Sequence, residues 1–176
     1  SIATHLPRQR VQWLRAARAL ARMRGTYDGA TIMEFDAALE GDDGERGFQE
    51  FLADPDAATL LQEQPCLPEL LDDVDALAKM REGSFGRAYL ALAQRDRISV
   101  TSLVTGSLAV PDEQQRAPDP VRRWYRDRMT ATHDLLHVLT GYGRDRAGET
   151  ALLAFSLGAK PMRVFRVSLA LAVLSI

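Results

Sequence analysis

The sequence is short of the features that mark several classes of protein. It has one cysteine, Cys66, which excludes an intramolecular disulfide and suits a reducing compartment. Its longest apolar stretch, residues 164–176, is interrupted by Arg166 and falls short of the roughly 18–20 residues that cross a bilayer. Its net charge is only -2, which argues against a protein built to grip nucleic acid. Because it has only three histidines, a close pair of them carries weight.

The composition that remains is that of an ordinary globular protein, with 46% hydrophobic and 26% charged residues. The 176 residues are one domain's worth, and no linker, repeat or low-complexity segment divides them. Apolar residues recur at three- and four-residue spacing, and no alternating pattern lasts long enough to build a sheet. We therefore predict an all-α fold, a single-domain helical bundle over residues 1–176.

Apolar periodicity and helix-breaking residues predict where the helices lie. The predicted helices cover residues 6–24, 31–39, 48–52, 56–62, 68–81, 85–95, 121–140, 145–157 and 162–176. Ser84 is predicted to cap the helix after it, and the proline-rich residues 103–120 are predicted to be irregular. The first helix has an arginine-rich face. It either lies on an anionic membrane or packs on the core with its arginines in water.

The best-defined predicted helix, residues 121–140, carries two histidines one turn apart. Imidazoles spaced like His133 and His137 can point at one metal ion. Asp134 falls beside them, and Glu149 follows in the next helix, which a hairpin over residues 121–158 folds back over the histidines. The spacing predicts a divalent metal on His133 and His137, and Asp134 and Glu149 are the candidates for the remaining ligands of a mixed nitrogen and oxygen site. The alternative is that the histidines are hydrogen-bonded polar residues at a helix interface.

The polar face of this helix continues toward its start with Arg123, Arg126 and Thr130. Arginine close to a metal suits an anionic group such as a carboxylate or phosphate, so these three residues and the adjacent Tyr125 are predicted substrate contacts. A greasy remainder of the ligand would enter between the helices. The alternative is that the arginines only balance neighbouring acids.

These residues resemble a known family. The run His133-Asp134-Leu135-Leu136-His137, followed by eleven residues and then Glu149, is similar to the HDxxHx11E motif of the ubiquinone (coenzyme Q) biosynthesis protein 4 family. Trp124-Tyr125-Arg126 resembles the approach to that motif. The run Glu82-Gly83-Ser84-Phe85-Gly86 with Tyr89-Leu90 resembles a second segment of the family. The resemblance covers residues 68–158.

The resemblance implies an all-helical homodimer that associates peripherally with a membrane. It implies binding of an isoprenoid lipid or ubiquinone precursor, contact with other ubiquinone biosynthesis proteins, and no nucleic acid. The expected location is the cytoplasmic face of the bacterial inner membrane, with the matrix side of the mitochondrial inner membrane as the alternative.

The reaction that the resemblance implies is oxidative decarboxylation with hydroxylation at the first ring carbon of a prenylated aromatic precursor. His133, Asp134 and Arg126 are then the expected catalytic residues of a metal-dependent ring decarboxylase. Zn²⁺ is the first expectation for the metal, with Fe²⁺, Mn²⁺ or Co²⁺ as alternatives because zinc does not change redox state.

Two other functions stay open at this point. One is a non-catalytic lipid-binding scaffold that organises the ubiquinone biosynthetic enzymes, and the other is a metal-dependent hydrolase of phosphorylated lipids. An open coordination position favours catalysis, whereas a site closed by protein ligands favours the scaffold.

Overall fold

The computed structural model describes residues 8–23, 29–108 and 119–174, and every regular element within them is an α-helix. The helices are α1 (Trp13–Met23), α2 (Gly29–Glu40), α3 (Asp43–Ala53), α4 (Ala57–Glu63), α5 (Leu67–Asp72), α6 (Val74–Lys79), α7 (Phe85–Asp96), α8 (Val100–Leu108), α9 (Pro120–Thr140), α10 (Arg146–Ala159) and α11 (Arg163–Leu174). The all-α prediction is therefore confirmed. None of these helices is both long and apolar enough to pass through a bilayer.

The helix predicted over residues 68–81 is two helices, so that prediction was wrong in its continuity. The side chain of Asp73 accepts a hydrogen bond from the Ala76 amide at 2.9 Å and caps α6. The preceding Asp72 accepts from the amides of Val100 and Thr101, each at 2.9 Å, at the start of α8. These two consecutive carboxylates cap two different helices, and the helix is interrupted between α5 and α6.

The same contact explains a second difference. Residues 100–108 form α8, so the prediction of irregular structure was wrong for residues 103–108, while residues 109–118 lie outside the described part. Asp72 binds the first free amides of α8 from a distant point in the sequence, and local patterns do not reveal such a cap. The predicted cap of α7 is confirmed, since the Ser84 hydroxyl accepts from the Arg87 amide at 3.4 Å.

Two apolar clusters form the interior of the described residues. One cluster is built from the five helices α5 through α9. Its buried members include Tyr89, Leu90, Val100 and Ala131. The other packs α1 on α2 and α11 around small residues such as Ala16 and Ala19 and the ring of Phe35.

Helix α1 uses its arginines partly within the protein. Arg15 and Arg22 both pair with Glu34 of α2, as expected for a helix packed on the core. Trp13 and Leu14 remain 58% and 77% exposed, so an apolar edge of this basic helix faces outward.

Candidate metal centre

The end of α9 and the start of α10 form a tight hairpin that carries the predicted donors. Gly141 ends α9 in the left-handed region with a φ of 73°, and the Asp145 side chain caps α10 by accepting from the Gly148 amide at 2.8 Å. A Cβ on Gly148 would lie 1.9 Å from the Gly143 carbonyl oxygen. Only glycine permits this close approach, which brings the first turn of α10 against the loop.

Three donor groups meet across the hairpin. The Nε2 atoms of His133 and His137 are 3.3 Å apart. Glu149 places one carboxylate oxygen 3.3 Å from the Nε2 atom of His137 and the other 3.5 Å from that of His133. The ligand atoms of these three side chains all lie within 4.8 Å of one another and could together bind a metal ion. We call them the donor cluster.

The spacing in the donor cluster suits a small divalent ion. Bonds of about 2.0–2.1 Å at a tetrahedral ion set its ligand atoms roughly 3.3–3.4 Å apart, close to the distances observed. Two imidazoles and one carboxylate are a donor set found at catalytic zinc and other first-row metal sites. Three protein donors also leave a fourth position for water or a ligand atom.

His137 is held in one orientation by the loop between α9 and α10. Its Nδ1 atom lies 3.1 Å from the carbonyl oxygen of Tyr142. A carbonyl oxygen can only accept, so Nδ1 donates its proton there and the Nε2 lone pair faces the donor cluster. The ring is only 2% exposed, which fixes it further. Such an outer hydrogen bond is the usual companion of a metal-binding histidine.

The charges in the donor cluster favour an imidazolium–carboxylate pair when no metal is bound. Burial opposes the cation at His133, but the hydrogen bond and charge of Glu149 outweigh it, and the pKa of His133 is raised. Burial likewise opposes the anion at Glu149, but the hydrogen bond from His133 and both imidazoles outweigh it, and the pKa of Glu149 is lowered. A divalent cation would replace the proton in this arrangement.

Asp134, the fourth predicted ligand, is not among the three side chains that meet in the donor cluster, and its role as a ligand stays a prediction. Its side chain is 1% exposed, and neither carboxylate oxygen has a hydrogen-bond partner among the described residues. Its nearest ionic contact is Arg144, whose Nη2 atom is 3.8 Å away. The carboxylate is not one of the atoms that meet in the donor cluster.

The predicted substrate contacts occupy different surroundings along α9. Arg123 is exposed, and Arg126 and Thr130 are half-buried. In the described part of the chain, no hydrogen bond or ion pair joins Arg123 or Thr130 to the donor cluster. Tyr125 is 8% exposed and packs against the rings of Phe48 and Phe51, with centroids 5.3 and 5.1 Å away. Its ring belongs to the protein interior.

Two residues near the donor cluster were not predicted from the sequence. Arg144 follows the helix end by a few residues and contacts Asp134, so its position inside the HDxxHx11E spacing was an available signal. Asp36 on α2 had no such signal. Burial raises the pKa of Asp36 to about 7, although the charge of His133 opposes the rise. Helix α2, from another part of the chain, therefore contributes a carboxyl group that interacts electrostatically with the donor cluster.

Comparison with known proteins identifies relatives of the chain. Residues 5–175 match the sequence model of the family described as "Coenzyme Q (ubiquinone) biosynthesis protein Coq4". The chain is 32% identical over 110 residues to "Ubiquinone biosynthesis protein COQ4, mitochondrial" of Yarrowia lipolytica. It is 34% and 32% identical over 107 residues to the mitochondrial COQ4 homologues of Bos taurus and Homo sapiens. No solved structure gives a significant match.

The curated relatives are longer proteins. The match to the Yarrowia lipolytica protein covers 61% of this chain and 38% of that protein. The matches to the Bos taurus and Homo sapiens proteins each cover 58% of this chain and 36% of theirs. The chain thus aligns with little more than a third of the length of each relative. The names of these relatives place them in mitochondria, which agrees with the alternative location expected from the sequence.

Proposed function

The chain belongs to the Coq4 family of coenzyme Q (ubiquinone) biosynthesis proteins, and from this premise we propose that it binds a prenylated aromatic precursor of ubiquinone and removes the ring carboxylate with the help of a divalent metal. The observation that carries the proposal is the donor cluster. The donor atoms of His133, His137 and Glu149, from two adjacent helices, converge to within 3.3–3.5 Å. A four-coordinate ion held by these three side chains would keep one position for the substrate.

The residues of the chain would divide the work as follows. Zn²⁺, or Fe²⁺, Mn²⁺ or Co²⁺ in its place, would act at the donor cluster as a Lewis acid that polarises the substrate carboxylate. The Tyr142 carbonyl keeps the proton of His137 on Nδ1, so that Nε2 remains free to bind. Arg126 and Arg123, with Thr130 between them and the histidines, would attract the anionic head along α9. Tyr125 would support this face from the interior.

In the proposed reaction, the carboxyl group on the ring is replaced by a hydroxyl group. The bond between the ring carbon and the carboxyl carbon breaks, and that carbon leaves as carbon dioxide. The ring carbon gains a hydroxyl oxygen, which is a two-electron oxidation. Dioxygen is the oxidant that we propose, and a two-electron donor with two protons reduces its second oxygen atom to water.

A lipid-tailed substrate requires access to a membrane surface, and the structure offers a suitable element. Trp13 and Leu14 are exposed on α1 beside the exposed side chains of Arg10 and Arg18. Aromatic and apolar side chains flanked by arginines are typical of helices that rest on an anionic bilayer. We propose a peripheral position on the membrane that carries ubiquinone synthesis. Homodimer formation and contact with other ubiquinone biosynthesis proteins belong to the same proposal.

The same exposed helix supports the second candidate, a scaffold that binds lipid and partner enzymes without catalysis. The two functions differ in what the metal does. For the enzyme, the metal-loaded protein should release labelled carbon dioxide from a prenylated hydroxybenzoate labelled in its carboxyl group, given dioxygen and a reductant. His137→Ala should abolish the release.

Native mass spectrometry of the same preparations separates the outcomes. Bound precursor together with labelled carbon dioxide supports the enzyme. Bound precursor without carbon dioxide, from protein loaded in turn with Zn²⁺, Fe²⁺, Mn²⁺ and Co²⁺, contradicts the enzyme and leaves the scaffold. Absence of both metal and lipid from the wild-type protein contradicts both candidates.

A further inference from the structure

The surface formed by α5, α6 and the start of α7 carries large apolar side chains that face outward. Between 47% and 56% of each of four side chains is exposed: Leu70, Val74, Met80 and Phe85. The other side of the same helices faces the interior, where Leu71 and Leu77 are buried. A group of exposed large apolar side chains, as distinct from a single one, is typical of a surface that contacts another molecule.

These four side chains belong to one continuous stretch of surface. Leu70 and Val74 are separated only by the short break between α5 and α6. At the end of α6, the Met80 side chain lies over Gly86, where a Cβ would have no room. Gly86 follows Phe85, so this contact holds the end of α6 against the start of α7 and keeps both exposed side chains on the same part of the protein.

Carboxylates lie among these apolar side chains. Residues 69–82 carry five acidic residues and only two basic ones, Lys79 and Arg81. The carboxylates of Glu69, Asp75 and Glu82 are on exposed residues and make no hydrogen bond or ion pair with the other residues that the structure describes. We call the exposed surface of residues 69–85 the acidic patch. Because its acids outnumber its bases, the patch favours a partner that combines apolar side chains with cations.

The outward edge of α1 combines these two features. Trp13 and Leu14 are 58% and 77% exposed, and Arg18 is exposed one turn after Leu14 on the same face. Arg10, just before the helix, is exposed as well, and neither arginine has an ion pair or hydrogen bond within the described ranges. We call these four residues the α1 edge. Tryptophan and arginine are the side chains most often found at the centre of protein contacts, so the α1 edge complements the acidic patch in charge and in apolar character.

We propose that the α1 edge of one copy of the chain docks on the acidic patch of a second copy. The exposed apolar side chains of the two surfaces then cover one another, and the arginines meet free carboxylates at the rim of the contact. Each copy carries both surfaces, so two copies related by a twofold axis can make the contact twice. The proposal rests on the homodimer of the proposed function, whose surfaces it names, but not on the metal or the reaction.

Charge reversal tests the contact from both sides. Sedimentation velocity of the wild-type chain at low ionic strength should show a dimer, and added salt should weaken it because ions screen exposed charges. Glu69→Arg with Asp75→Arg, and separately Arg10→Glu with Arg18→Glu, should each raise the dissociation constant of the dimer by at least about tenfold. A mixture of the two double variants should form a mixed dimer, because the reversed charges of each variant again face opposite charges on the other.

The matched control is Asp56→Arg with Glu63→Arg, which changes the net charge by the same amount at exposed residues outside the acidic patch. It should leave the dimer unchanged. A monomeric wild-type chain, or a dimer that neither reversal weakens, would overturn the proposal. If a reversed variant fails to fold, Leu70→Ala changes a single exposed side chain and should weaken the dimer by on the order of tenfold. An equally stable Leu70→Ala dimer would count against the contact.

The α1 edge is also the part of the chain proposed to rest on a membrane, so the two contacts exclude each other. Vesicles of phosphatidylcholine and phosphatidylglycerol should bind more of the variant reversed at Glu69 and Asp75 than of the control reversed at Asp56 and Glu63. The two variants carry equal net charge, and only the first leaves the α1 edge uncovered. Equal binding would mean that the dimer does not cover this edge, which would contradict the proposal. No metal or precursor enters these measurements, so failure of the proposed decarboxylation would leave their outcome unchanged.

Discussion

Helix α9 carries charged groups at both ends. Those at its start are fully hydrogen-bonded to one another, and those at its end are not. At its start, the guanidinium of Arg122 bonds both carboxylate oxygens of Glu45 at 2.7 and 2.8 Å and Asp119 at 2.6 Å, above the ring of Phe48. At its end, the imidazoles of the donor cluster share one carboxylate, and Asp134 has no hydrogen bond. A satisfied network of charges stabilises a fold, whereas converging groups left incomplete indicate a place for something else to bind.

The start of α9 should show the largest effect on stability. Arg122→Ala removes a buried guanidinium from the partly buried carboxylates of Glu45 and Asp119, so we expect the free energy of unfolding to fall by about 3 kcal/mol, the lower end of the range for a broken buried ion pair. Denaturant unfolding measures it, with Arg123→Ala as the control because that exposed neighbour should change it by no more than about 0.5 kcal/mol. Equal effects of the two variants would remove the distinction between a structural and a binding end of α9.

The end of α9 should show its effect on metal rather than on stability. His133→Ala removes a half-exposed ring that donates to the proposed ion, so Zn²⁺ affinity should fall by more than about 100-fold, or about 2.7 kcal/mol. At a pH above the folded-state pKa of His133, unfolding of the metal-free protein should change little. Thr132→Ala, at the preceding position, should preserve Zn²⁺ binding in the same calorimetric titration. Strong binding by His133→Ala would show that this ring is not a ligand.

Without metal, the donor cluster should make the free energy of unfolding depend on pH through His133 and Glu149. The raised pKa of His133 gives stability that is present below the ordinary value of 6.5 and is lost as pH rises through the folded-state pKa. The lowered pKa of Glu149 gives stability that is present above its ordinary value of 4.5 and is lost as pH falls through its folded-state pKa. The pair therefore stabilises the metal-free protein most between the two ordinary values, 4.5 and 6.5, and this stability is lost as pH passes either folded-state value.

As pH rises toward the folded-state pKa of His133, the stability of the metal-free protein falls, whereas metal affinity should rise. The metal needs neutral imidazoles, so Zn²⁺ affinity should rise by up to about tenfold per pH unit until His133 loses its proton. Titrations of wild type and His133→Ala across this range measure the effect. The same slope in both proteins would contradict the assigned competition between the proton and the metal.

The smallest effect should come from the cap of α10. Asp145→Ala removes the acceptor for the Gly148 amide and should cost about 1 kcal/mol of unfolding free energy. Asp145→Ser should restore most of it, since serine also caps helices. Thermal unfolding measures both variants. A loss from Asp145→Ala as large as that from Arg122→Ala would mean that the hairpin, rather than the Arg122 network, is the structural part of α9.

The sequence predicted much of the donor cluster because its information is local. His133 and His137 are one helical turn apart, and Gly148 with the Asp145 cap brings Glu149 back within reach across a short loop. The helices themselves followed from apolar periodicity. Assignment of Asp134 as a ligand relied on its neighbouring position on the helix and stays a prediction, while the burial of its carboxylate depends on tertiary packing.

What the sequence could not predict depends on distant contacts. Asp72 caps α8 from another helix, and Glu45 meets Arg122 across a separation of 77 residues. Asp36 approaches the donor cluster from α2 with no motif to mark it. Such contacts arise from how helices pack, which single-sequence periodicity does not encode.

The central claim is that His133, His137 and Glu149 together hold one metal ion. The most direct test is elemental analysis of the wild-type protein and of Glu149→Gln, each loaded with Zn²⁺ and then passed through a desalting column. We expect about one zinc per wild-type chain and almost none in the variant, with both proteins equally folded. Zinc-free wild-type protein, or equal zinc in the two proteins, would contradict it.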